Sequence, residues 1–261
     1  TGTDNVAVGE GSLALNVTTH RNTAIGDNAL AANIASDNTA VGSSALLVNS
    51  TGAGITAVGQ GALDANTTAS NSTAIGVDAL GANTTGDENT AVGSNALLTI
   101  TTGGASTAVG RNALKLATRG DNTAVGSNAL AANSTGATNT AVGATALDAN
   151  TTASNNSALG YAALGANTTG HSNAAVGKDA LQSNTTGVSN TAVGANSLEL
   201  NTTTSYNTAV GRGALGVNVA DSNTAVGQGS MAANTSGANG SALGYASLAA
   251  NTTGQQNTGL G

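Results

Sequence analysis

The chain contains no cysteine, no proline, no tryptophan and no phenylalanine, and only three tyrosines and 19 charged side chains in 261 residues. Each absence excludes something. Without cysteine there are no disulfides and no thiolate metal sites. With so few aromatics no thick hydrophobic core can be filled, so any core is thin. Six Lys and Arg against a net charge of −7 leave no basic surface, which argues against nucleic acid, whose binding depends on phosphate neutralisation. No apolar run approaches the roughly 18 to 20 residues that cross a bilayer as a helix, and the N-terminus lacks the basic-then-apolar pattern of a signal peptide. An average globular chain is about 25% charged and 7% Gly; this one is 7% charged and has 37 glycines. That bias calls for a search for internal repeats.

The repeat covers the whole chain. An Ala-Val-Gly triplet places its glycine at Gly9, Gly26, Gly42, Gly59, Gly76, Gly93, Gly110, Gly126, Gly143, Gly160, Gly177, Gly194, Gly211, Gly227, Gly244 and Gly261. Twelve of the fifteen intervals are 17 residues long and three are 16. The residue before each glycine is aliphatic, and the one before that is Ala except at Gly259. Leu follows four residues after the glycine, replaced once by Met231, and Asn follows seven after it, replaced by Ile100 and Ala117. The unit reads N-T-A-V-G-x-x-A-L-x-x-N-T-T-G-x-x. All three short units lose their residue in the Asn-Thr-Thr-Gly half, which marks that half as the tolerant turn. A longer period of five units also shows, because Asp64 to Asn71 recurs as Asp148 to Asn155.

A helical solenoid repeat needs 30 or more residues, and Gly, Asn and Thr are poor helix-interior residues. Short strands joined by tight turns remain. The expected fold is all-β, a parallel β-solenoid of about fifteen coils forming a single repetitive segment over residues 1–261. Stacking would place Val over Val, Leu over Leu and Asn over Asn at ~4.8 Å, with the asparagine amides bonded along the axis.

Successive strand residues face opposite sides. If the valine of each Thr-Ala-Val enters the coil, the alanine faces outward. On that reading Ala24, Ala40, Ala57, Ala74, Ala91, Ala108, Ala124, Ala141, Ala158, Ala175, Ala192, Ala209, Ala225 and Ala242 form a close-packed seam between identical chains. Two large apolar side chains per coil offer about 4 to 6 kcal/mol of burial against about 1.5 kcal/mol of ordering cost per residue, which also favours association.

Asn122-Thr-Ala-Val-Gly126-Ser-Asn-Ala-Leu130 resembles the N-S-V-A-I-G repeats in the heads of trimeric autotransporter adhesins, and the 17-residue form resembles repeats of bacteriophage tail fibres and related bacterial surface proteins. The resemblance implies a left-handed β-roll, a homotrimer and an extracellular setting, as a cell-surface appendage or a virion fibre. The abrupt start and finish inside the repeat suggest a segment of a longer protein.

Candidate sites are few. Gly211-Arg-Gly213-Ala-Leu-Gly216 spells G-x-G-x-x-G but lies in the repeat frame with no βαβ context. Arg119-Gly120-Asp121 spells an integrin-type tripeptide on a shortened coil. His20 and His171 are nine coils apart. No nucleophile with a base, acid pair or metal cluster can be assembled, so neither catalytic, cofactor-binding nor metal-binding residues are expected. Eleven N-x-S/T sequons fall on the turn ladder, at Asn16, Asn49, Asn66, Asn83, Asn133, Asn150, Asn167, Asn184, Asn201, Asn234 and Asn251. They fit turn chemistry or covalently attached glycans. The expected function is a rigid spacer, the shaft of an extracellular fibre. A second reading is adhesion by the shaft surface to glycans or receptors, and a third is ice binding by regular threonine rows.

Overall fold

The computed structural model describes residues 2–261. Every regular element is a three-residue β-strand, sixteen in all, and no helix is present among the described residues. The chain divides into two compact units, one running to Asn128 and the other Ala129–Gly261. The first stacks eight parallel strands from β1 (Val6–Val8) to β8 (Thr123–Val125), and the second stacks eight from β9 (Thr140–Val142) to β16 (Thr258–Leu260). Within each unit every strand pairs with the next one in sequence, and the register is that of the repeat. Ala40 lies beside Ala57 and Val41 beside Val58; Ala192 lies beside Ala209 and Val193 beside Val210. This is a parallel β-solenoid with coils of about 17 residues.

The orientation of the strands is the reverse of the sequence expectation. Ala24, Ala40, Ala57, Ala74, Ala91, Ala108, Ala124, Ala141, Ala158, Ala175, Ala192, Ala209, Ala225 and Ala242 all point into their own coil and are buried, none more than 3% exposed. They cannot be a seam between chains. The aliphatic residues beside them face out, Ile25 at 40% and Leu159 at 51% exposed. The reason is room. The inner face of each strand meets the leucine of the opposite wall: at Gly259, the one break in the alanine row, an added Cβ would lie 2.6 Å from Leu248 Cγ. Even a methyl there would push the leucine aside, so the inner face takes nothing larger than alanine and the leucine supplies the bulk. Leu30, Leu46, Leu63, Leu80, Leu97 and Leu114 in the first unit, and Leu130, Leu147, Leu164 and Leu181 in the second, are fully buried.

Each coil closes through residues in the left-handed backbone region. Around Gly160 these are Asn155 at φ +63°, Ala162 at +52° and Leu164 at +53°. Leucine is a poor choice for that conformation, which costs on the order of 1 kcal/mol or more; full burial of its side chain, at about 1.5–3 kcal/mol, offsets the strain. The anchor glycine is required for a different reason. At Gly42, φ is +136° and a Cβ would sit 2.5 Å from the Gly59 carbonyl oxygen, so two coils pass backbone against backbone there.

Candidate functional site

The polar interior consists of two asparagine ladders. The first is the asparagine seven residues after the anchor. Asn66 Nδ2 donates to Asn49 Oδ1 at 2.8 Å, and the same bond recurs from Asn150 to Asn133, Asn167 to Asn150 and Asn184 to Asn167. Each amide also donates to the carbonyl three residues on, as Asn49 does to Gly52 at 2.9 Å. The second ladder, the asparagine that opens N-T-A-V-G, was visible in the sequence as a repeat position but its role was not. Its Oδ1 accepts the backbone N–H of the matching residue one coil on, as from Asn38 to Asn22 and from Asn173 to Asn156. Its Nδ2 donates across the coil to the carbonyl that the first ladder already uses: Gly52 O accepts from Asn38 and from Asn49, and Gly187 O from Asn173 and Asn184. Buried polar groups are costly unless paired, and these pair in a closed cycle that most coils repeat.

The first ladder is interrupted at Ile100 and Ala117 and the second at Ile55, Ser72, Ser106 and Gly240, and one of these breaks leaves a buried atom unpaired. Asn83 Oδ1 is buried with no hydrogen-bond donor, because the residue stacked next on its ladder is Ile100, which has none to give.

This geometry corrects the glycosylation expectation. Asn49, Asn66, Asn83, Asn133, Asn150, Asn167, Asn184, Asn201 and Asn234 are fully buried, and a glycan on Nδ2 would have to leave through the coil wall. Asn16 and Asn251, on the outermost turns described, are partly exposed. The turn threonines beside these asparagines are engaged as well. Thr168 Oγ1 donates to Thr185 O, and Thr185 Oγ1 to Thr202 O, both at 3.0 Å, so this row is bonded along the stack rather than held free.

The remaining sequence candidates lie apart. Arg119 and Asp121 are exposed on their turn, and the backbone N–H of Asp121 donates to Gly104 O at 3.2 Å. Gly211 and Gly213 have φ of +130° and +64° within the ordinary frame of the repeat, and Gly216 lies outside the left-handed region. His20 Nδ1 lies 3.0 Å from the backbone nitrogen and from the hydroxyl of Thr3, and His171 Nδ1 lies 3.2 Å from Ser172 Oγ. Among the described residues no group of three or more His, Cys, Asp or Glu could hold a metal ion, and no helix is long and apolar enough to cross a membrane.

The surface feature that recurs along the strands is an outward pair, Thr-x-Val in most of them and a small or aliphatic variant in the rest. In the first unit Thr23 and Ile25, Thr39 and Val41, and Thr56 and Val58 stand in two parallel rows; in the second, Thr191 and Val193, and Thr208 and Val210 do the same. Not one of these outward positions on the sixteen strands carries a charge. Toward the end of the second unit the two rows wall an almost wholly apolar groove between Thr224 and Val226, Ser241 and Leu243, and Thr258 and Leu260.

No family model, curated protein or solved structure matches this chain. The rows and ladders themselves are what bears on function.

Proposed function

We propose that this chain is the structural shaft of an extracellular fibre, a surface adhesin, appendage or phage tail fibre, acting as a rigid and stable spacer. The observation that carries the reading is the closed asparagine cycle. Within each unit a coil is tied to the next through a strand, a leucine stack and, in most coils, asparagine amide ladders, so bending one coil against another breaks several bonds at once. A spacer needs that stiffness and needs no cleft.

Self-association belongs to the same proposal. The partner is a second and third copy of this chain, in a left-handed homotrimer as the resemblance implies, and the face is the uncharged Thr-x-Val row. Eight strands at ~4.8 Å spacing and three residues of width give each unit about 400 Å² of such face. That is about half of the 800 Å² per partner of a standard interface. A matching row at the same spacing is what an identical chain supplies.

Electron microscopy with analytical ultracentrifugation tests both parts. Straight rods of a single oligomeric species are expected; compact particles would remove the shaft reading, and a folded monomer at micromolar concentration the association. Adhesion by the shaft surface is a second reading, favoured at one place in the second unit.

A further inference from the structure

Five residues after the anchor glycine the units carry varied side chains. At three of them the residue is acidic, Asp64, Asp148 and Glu199, and in each case the next coil has glycine at the same place, Gly81, Gly165 and Gly216. Those are the only glycines at that position. None lies in the left-handed region, so the backbone does not require them. What the glycine supplies is the missing side chain, which leaves a notch beside the carboxylate. A Cβ built on Gly165 would lie 3.6 Å from Asp148 Oδ1.

Only one of the three notches is lined for recognition. Beside Asp148 and Gly165 an open groove of about 590 Å³ is walled by Tyr161, Gln182 and Ser183. Tyr161 is 56% exposed, an aromatic ring standing out from a surface that is otherwise almost free of them. At Gly81 the place of Tyr161 is taken by Val77 and that of Gln182 by Leu98, whose Cδ1 closes to 3.5 Å from the notch. At Gly216 the tyrosine position is Arg212.

We propose that the groove between Tyr161, Asp148 and Gln182 binds a single hexopyranose ring. The chemistry fits a neutral polyol better than an ion. A carboxylate accepts from two vicinal hydroxyls, the amide of Gln182 both donates and accepts, and the hydroxyl of Ser183 does either. The tyrosine ring offers a flat apolar surface to the C–H face of the sugar. An anion is opposed by Asp148. A cation on the tyrosine ring is opposed by Lys178, at the matching position one coil on, whose ammonium is held by Asp179 at 3.0 Å. Burial already pushes the Asp148 carboxyl up, and hydroxyl donors would relieve that cost. The inference rests on the adhesion reading and not on the shaft reading, which stands whether or not a sugar binds.

The repeat supplies its own control substitutions. Serine occupies the Tyr161 position in other coils, at Ser43, Ser94 and Ser127, and leucine the Gly165 position, at Leu47 and Leu98. Tyr161→Ser and Gly165→Leu are therefore changes that the fold already accommodates. Methyl glycosides of glucose, galactose, mannose and N-acetylglucosamine are titrated into the whole chain by saturation-transfer NMR, with tetramethylammonium as the cation probe. At least one glycoside is expected to bind at one site per chain with a Kd of about 1 mM, the scale for a dozen heavy atoms in an open site. Each substitution should weaken it about tenfold, while Asp64→Ala, in the notch closed by Leu98, leaves it unchanged. No glycoside binding to the unaltered chain, binding that survives both substitutions, or tetramethylammonium binding in preference to every glycoside overturns the proposal.

Discussion

Asn150 Nδ2 donates to Asn133 Oδ1 at 2.8 Å and to Ala153 O at 3.0 Å, so one buried amide ties its own turn and the coil before it. Replacing Asn150 with alanine removes both bonds and the one that its Oδ1 accepts from Asn167, and leaves Asn133 Oδ1 buried without a donor, the condition that Asn83 already shows beside Ile100. A loss of about 2 kcal/mol is expected. The denaturant midpoint reads the size of the loss, and amide hydrogen exchange should place it in the coils around residues 133–153.

Gly42→Ala is expected to do more damage than any exposed substitution. The new methyl would have to share space with the Gly59 carbonyl in a backbone conformation that alanine resists, a combination costing at least about 3 kcal/mol. Thermal unfolding followed by circular dichroism checks it. Gly165→Ala, at a glycine with an ordinary φ, should cost far less and serves as the comparison.

The half-buried carboxyl of Asp148 is raised by desolvation, against the opposing hydrogen bond from the Ala149 amide. Its folded-state pKa lies above the unfolded value, so the charged form costs stability at neutral pH, and the cost disappears as pH falls through the raised value toward the ordinary 3.8. Asp148→Ala should therefore be more stable than the parent at neutral pH, with the advantage gone below the ordinary aspartate range. Asp37 has the opposite sign. Arg21, bonded to both of its oxygens, lowers its pKa, so that contribution is present above the ordinary aspartate value and lost as pH falls through the lowered one. Urea titrations across this range separate the two.

On the proposed self-association, a charge introduced on the outward row should separate the copies and spare the fold. Val193→Lys with Val210→Lys places two ammonium groups where the sixteen strands carry none. Sedimentation is expected to shift toward the monomer, with unchanged circular dichroism. The double substitution Ala192→Ser with Ala209→Ser, on the inward face of the same strands, should instead lower the unfolding midpoint, because those alanines are buried in their own coil.

Chain mass after expression in a secretory eukaryotic host provides a further check. Folded protein should carry no sugar at Asn49, Asn66 or Asn150, whose amides are bonded inside the coil; a glycan at any of the three in folded material would contradict the ladder geometry.

The coil length, the strand position, the leucine stack and the bonded asparagine ladder were all legible in the sequence, because each is a periodicity and stacking turns periodicity into contact. Which face of Thr-Ala-Val turns inward was not. Alternation assigns Ala124 and Val125 to opposite sides but is silent on which side is the core, and the usual preference for burying the larger residue pointed to the valine. The deciding quantity is the width of the coil, set by Leu248 across from Gly259 and its counterparts, and no local pattern states it. The sequons misled for a related reason: Asn-Thr-Thr has the composition of an exposed turn, yet the asparagine bends back inside while the two threonines stay nearer the surface. The notch beside Asp148 was not legible because its signal lies between coils, a carboxylate in one and a glycine in the next.

The three short coils show how much freedom the inward asparagine allows. In a full coil Asn49 reaches the carbonyl three residues on; in two of the short ones Asn33 bonds Ala35 O at 2.7 Å and Asn218 bonds Ala220 O at 2.6 Å, two residues on. The amide works as a hook that catches whichever carbonyl comes round, so loop length is uncoupled from the pitch of the stack. Foreign peptides spliced just after Asn33 in the first unit or Asn218 in the second should be carried as side branches, each at an address fixed to within one coil of its own unit.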